Sequence, residues 1–174
     1  MKIIYFVVSI CLLPIFLFAQ EPPAGWRFPT ESDYSGGWKE YRGSNPTPFI
    51  TKADFNGDGL IDKAWILLST ENKSWGLFLF ISQNDGSQNI IRLDTADHNK
   101  AIGSRPPQSM GVAVAPPGDY VTACAKGYWK YKPGEAEVLH LDLPGINYYQ
   151  FEGANSIFWW DAKSKLFNRT WISD

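Results

Sequence analysis

The chain is poor in cysteine, in net positive charge and in long apolar segments, and each shortage excludes a class of protein. Of its two cysteines, Cys11 falls in an N-terminal leader, so Cys124 stands alone in the remainder and no internal disulfide can form there. Lys and Arg number 16 against 18 Asp and Glu, a formal charge of −2 that becomes −3 when Lys2 leaves with the leader. A general binder of nucleic acid or of anionic membranes needs a net basic surface and is excluded. The one long apolar run, residues 3–18, is shorter than the roughly 20 residues of a spanning helix and is interrupted by Pro14, so the chain is not read as an integral membrane protein. No long amphipathic helical pattern occurs, and no internal repeat.

What is present is enough for one packed domain. Hydrophobic residues make up 44% of the 174, aromatics 16% and charged residues 20%, a balance that suits a globular core and not a disordered or fibrous chain. Lys2, the apolar run and the small residue Ala19 have the three parts of a secretory signal, so residues 1–19 read as a signal peptide and the mature protein as periplasmic or secreted. Residues 20–48 hold five prolines and four glycines with Trp26, Trp38 and Tyr41 scattered between them. They read as an irregular arm whose aromatics dock on the main body, with one helical turn near 30–34. The rest, 49–174, reads as a single β-rich domain.

Within that domain, 64–69 and 75–82 are nearly continuous apolar runs of strand length and form a hairpin. Trp65 and Leu67 oppose Ile66 and Leu68, while Leu77, Leu79 and Ile81 oppose Phe78 and Phe80, so both faces of these strands should be covered. A turn at 84–86 leads to a third strand at 89–93. Further strands are expected at 111–115, 120–125, 128–131, 137–141, 148–151, 156–160 and 167–172. The spacing predicts a mainly β fold, an antiparallel sheet or sandwich with long loops and at most short helices. The polar stretch 94–110 is the longest without a strand pattern.

One segment carries recognisable chemistry. Residues 54–62 place oxygen side chains at loop positions 1, 3, 5 and 9, namely Asp54, Asn56, Asp58 and Asp62, with Gly59 at position 6 and the Leu60 carbonyl at position 7. Calcium takes six to eight oxygens at roughly 2.3–2.6 Å, and a tight loop can turn alternate side chains inward toward one ion. The ion would also relieve the repulsion of three carboxylates. An EF-hand would require a glutamate at position 12, where Trp65 stands inside a strand pattern, so this is not an EF-hand. The rival reading is an acidic Asx-type turn that ties off a strand without metal.

At these residues the sequence resembles the FG-GAP and VCBS repeats of integrin-like propellers and of exported bacterial proteins, in which a D-x-N-x-D-G-x-x-D loop leads straight into a strand. Asp54, Asn56, Asp58 and Asp62 match the ligand side chains of that pattern, and 64–69 matches the strand. The resemblance implies a single structural Ca²⁺ ion. It covers residues 52–68 only, and a propeller needs roughly four or more blades, so a full propeller is not expected.

Three function classes follow. The first is an exported, non-enzymatic, calcium-stabilised module that recognises a protein partner, in the manner of an inhibitor or an immunity protein. The second is a carbohydrate-binding module using Trp129, Tyr131, Trp159 or Trp160, whose flat rings offer contact area at little entropic cost. The third is a hydrolase with its site in 94–110, where His98 lies beside Asp97 and near Asp94. A nucleophile and base could also be sought in Cys124 and His140 with Asp142 orienting the ring, although a small thiol within an apolar segment is ordinary core.

Overall fold

The computed structural model describes residues 20–71, 74–96, 105–130 and 134–174. Residues 1–19, expected to be a signal peptide, lie outside the described residues, as do His98 and Tyr131.

The strands β1 (Trp26–Arg27), β2 (Ile50–Ala53), β3 (Asp62–Ser69), β4 (Trp75–Ser82) and β5 (Gln88–Ala96) form the first sheet. β3, β4 and β5 are an antiparallel meander, and the outer edge of β3 is shared: β2 pairs with its first half and β1 with its last two residues. A short helix, α1 (Gly36–Glu40), lies between β1 and β2. After β6 (Met110–Ala115), the strands β7 (Gly118–Val121) and β8 (Val138–Leu141) make a two-stranded ladder of their own. β9 (Gly145–Gln150), β10 (Asn155–Asp161) and β11 (Leu166–Ser173) then return to β6, giving a second sheet in the order β11, β10, β9, β6. The fold is mainly β, and among the described residues every strand pairing is antiparallel and no sheet closes into a barrel or propeller.

The two sheets pack face to face because period-2 alternation gives each an apolar side. Ala64, Ile66 and Leu68 of β3 and Leu77, Leu79 and Ile81 of β4 meet Val112, Ile146, Tyr148 and Phe158 of the second sheet in one core. Each fully buried Ile or Leu there is worth about 1.5–3 kcal/mol of transfer free energy. The opposite face of β3 and β4 carries Leu67, Phe78 and Phe80, and the N-terminal arm covers it. Trp26 sets its ring edge on Phe78 at 4.8 Å, and Phe28 lies 4.6 Å from Trp65. Both faces of the hairpin are therefore covered, as the double run of apolar residues required.

The arm is pinned by polar contacts as well. Arg27 donates to both oxygens of Asp33 at 2.7 Å, and Asp33 also accepts the Thr30 amide at 2.7 Å, which closes a single 3₁₀ turn at Glu31–Asp33. From α1, Trp38 enters the main core fully buried and donates its indole N–H to the Met110 carbonyl at 2.8 Å.

Three expectations need correction. The strand predicted at 120–125 ends at Val121, and residues 128–130 of the strand predicted at 128–131 are not strand, 128 and 129 forming a bend after the turn at 123–127. Aromatic content favours strand at Tyr128 and Trp129, but the chain here closes local turns, with the Gly127 amide on Cys124 and the Tyr128 amide on Ala123. The polar stretch beginning at Asp94 also starts later than expected, because β5 runs on to Ala96 opposite Trp75.

Candidate functional site

The acidic hook lies between β2 and β3 and is organised around Asp54. Its Oδ1 accepts the amides of Gly57 at 2.7 Å and Asp58 at 3.2 Å, and its Oδ2 accepts that of Gly59 at 2.8 Å. Gly57 and Gly59 both sit at positive φ, 77° and 85°, a region an L side chain rarely occupies. Asn56 and Asp58 face each other: the Asn56 amide donates to Asp58 Oδ2 at 2.9 Å, and the Asp58 amide donates to Asn56 Oδ1. Leu60 gives its amide to Asp58 Oδ1 at 2.8 Å.

Asp62 behaves differently from the other three. It is fully buried, and its carboxylate is turned toward the sheet, accepting the amides of Phe55 at 3.1 Å and Ser82 at 3.0 Å. It thereby ties the hook to β4 while Phe55, also fully buried, anchors the same turn in the core. Burial pushes the Asp62 carboxyl above its ordinary range; the two amide bonds oppose that, and the charges of Asp58 and Asp54 add to it. No lysine or arginine is ion-paired to any of these acids among the described residues. Nor, among them, do three or more acidic, histidine or cysteine side chains converge as a ready ligand set.

The donor set nonetheless suits a hard cation. It is made only of oxygens, and a carboxylate offers about four acceptor positions. Asp54 has three in use, and Asp58 and Asp62 two each.

Cys124 and His140 line one cleft of about 410 Å³, but they are not paired. The Cys124 thiol lies 3.0 Å from Thr122 Oγ1 and donates to the Ala136 carbonyl. His140, exposed on β8, has Nδ1 on Asp119 of β7 and Nε2 3.3 Å from Asp142. The hydrogen bond to Asp119, and then the charges of Asp119 and Asp142, raise its pKa. Asp142 does contact the ring as expected; Asp119 was missed, and only the β7–β8 register, which sets Asp119 opposite His140, reveals it. Asp94 is not free for catalysis: it receives Arg169 Nη1 at 2.8 Å, a bridge from β5 to β11 across the two sheets.

The tryptophans of the glycan reading divide. Trp129 and Trp159 line the same cleft, along with Glu135 and Thr170. Trp129 donates its N–H to Glu135 at 3.3 Å, and Trp159 donates its own to Thr170 Oγ1 at 3.0 Å. Trp160, the next residue of β10, packs against Phe167 at 5.1 Å and lines a neighbouring hollow of about 330 Å³ together with Trp159. Among the described residues, no helix is long and apolar enough to cross a membrane. In comparison with known proteins, the chain matches no family model, no curated sequence and no solved structure.

Proposed function

We propose that this protein is an exported, non-catalytic binding module of the FG-GAP/VCBS-like kind, whose β-sandwich is held in shape by one structural calcium ion in the hook 54–62. The observation that carries the reading is the hook itself: four oxygen side chains gathered into nine residues, with a buried carboxylate at the end and, among the described residues, no lysine or arginine ion-paired to them. Asp54, Asn56, Asp58, the Leu60 carbonyl and Asp62 would hold the ion, which supplies the positive charge that the three acids lack. The structural role follows from position. The hook connects β2 to β3 and, through Asp62, reaches β4, so ordering it stiffens the first sheet at its hydrogen-bonded edge.

Export supports occupancy. An extracellular-type site of about 10⁻⁴–10⁻³ M affinity fills at millimolar calcium outside a cell. A catalytic reading draws less support, since Cys124 and His140 are each engaged by other groups. Titration calorimetry at millimolar calcium is expected to show one site per chain, and melting curves should rise on adding calcium and fall with chelator. At ten times the dissociation constant the linkage amounts to about 1.4 kcal/mol. Absence of heat together with chelator-indifferent melting would remove the reading.

A further inference from the structure

Cleavage of the leader after Ala19 makes Gln20 the first residue of the mature chain. We infer that Gln20 is then a modification site: its free amine attacks its own side-chain amide and closes to a pyroglutamyl lactam, with Lys63 polarising the amide. This rests on the export reading above and goes beyond it. Gln20 is half-buried at the start of the arm. Its Oε1 accepts the Lys63 ammonium at 2.8 Å, across 43 positions of sequence, while its Nε2 is buried with no hydrogen-bond partner among the described residues. The two facts have one cause. An ammonium carries donors only, so it takes the amide oxygen and leaves the NH₂ turned to where nothing accepts it. Such a donor is a standing cost that loss of the NH₂ removes. Lys63 is fixed within β3, opposite Lys52 of β2 and Phe80 of β4. A hollow of about 500 Å³, lined by Gln20, Lys63, Asp85 and Ser87, opens beside the pair and gives a leaving group its way out.

In the closure the unprotonated amine of Gln20 bonds to Cδ, and an electron pair moves onto the carbonyl oxygen. The Lys63 ammonium, already on that oxygen, stabilises the charge as it develops. The pair then returns, the Cδ–Nε2 bond breaks, and one amine proton passes to the departing nitrogen, which leaves as ammonia. Nothing is oxidised or reduced, and no co-reactant is consumed. Two methylenes separate Cα from Cδ, so the ring formed is five-membered and the attack is intramolecular, which favours it over attack by water. The lactam keeps the carbonyl that Lys63 binds, discards the unpartnered NH₂, and replaces an α-ammonium close to Lys63 by a neutral N–H. The arm that covers the outer face of β3 and β4 thereby begins with a blocked end that an aminopeptidase, which needs a free amine, cannot start on.

The test has two arms. In the first, the full chain with its leader is expressed in an exporting bacterial host, and the purified product is read by intact mass and by sequencing of its N-terminal peptide. The expected product runs from Gln20 to Asp174, is lighter than that chain by one ammonia, and becomes open to Edman degradation only after pyroglutamyl peptidase. A product that starts at Gln20 and keeps its free amine on prolonged incubation overturns the inference and leaves the export reading standing. A start at any other residue also overturns it, and a retained leader removes the export reading with it. In the second arm, a fusion cut by a site-specific protease directly before Gln20 yields the open chain, and ammonia loss is followed in time by mass. Lys63→Met should slow the loss about threefold or more, short of the roughly hundredfold of an enclosed oxyanion site because Lys63 is only half-buried, and Lys63→Arg, which keeps the cation, should restore most of the rate. The parent unfolded in urea should close as slowly as Lys63→Met, which keeps the test open should that variant fold poorly. Equal rates for the folded parent, the unfolded parent and Lys63→Met overturn the inference. Calcium uptake measured on the same samples reports separately on the hook.

Discussion

The two sheets solve the same packing problem unequally. At β3 and β4 the first is covered twice, by the second sheet on one side and by the aromatic arm on the other, and β4 has seven of its eight residues buried. The second is fully covered on one side only. Its other face meets the short β7–β8 ladder, which buries Leu139 and Leu141 but leaves Val121 at 50% and Val138 at 45% exposure. The difference teaches where concave, mixed surface survives: a face that is only partly covered keeps it, whereas β3 and β4, covered on both faces, have given most of their apolar area to stability.

Substitutions can sharpen or break this contrast. The largest expected effect is at Trp38, where Trp38→Ala removes a fully buried ring and its bond to Met110; about 3–5 kcal/mol of destabilisation should appear in chemical denaturation. Val121→Ala in the ladder, measured the same way, should cost about 0.5 kcal/mol or less, and a cost comparable to that of Trp38 would end the distinction between the two halves. Asp62→Asn comes next. One of its two buried amide partners would face an N–H₂ in place of an oxygen, costing about 1–3 kcal/mol, and the calcium-dependent rise in melting temperature should shrink with it.

The pH response separates the arm from the ladder. The Arg27 guanidinium holds the Asp33 carboxyl down at about 2, below its unfolded value near 3.8. That stabilisation is complete above the unfolded value and is lost as pH falls from about 4 toward 2; the Arg27 side chain is 43% exposed, so about 1 kcal/mol or less is expected. Acid titration of Asp33→Asn against the parent should show the two stability curves converging below pH 3. His140 runs the other way, since its raised pKa makes any contribution present at low pH and lost as pH rises through the folded value. Being fully exposed, it should register only in its own titration: by NMR, Asp119→Asn should move the His140 midpoint down, and an unmoved midpoint would discard the pairing.

How much of this was legible in the sequence depends on the range of the interaction. The hairpin β3–β4 could be read because its apolar alternation is local, and the acidic turn between β2 and β3 because its Asp, Asn and Gly residues stand at fixed short spacings. β1 and β2 were missed: two and four residues give no periodicity, and they are strands only because the edge of β3 offers them partners. The run at 128–130 misled for the opposite reason, since aromatic propensity was overridden by turn bonds between Ala123, Cys124, Gly127 and Tyr128.

By itself the sequence determined a mainly β class, the doubly apolar central strands and an oxygen-rich hook, because these depend on the period and spacing of neighbours along the chain. Only the tertiary structure decided that Asp62 turns into the sheet toward Ser82, that Asp94 meets Arg169 across the sandwich, and that Trp129 and Trp159 share a cleft while Trp160 packs on Phe167. Those pairings join residues far apart in sequence, and the register and stacking of whole sheets, not any local preference, set their distances.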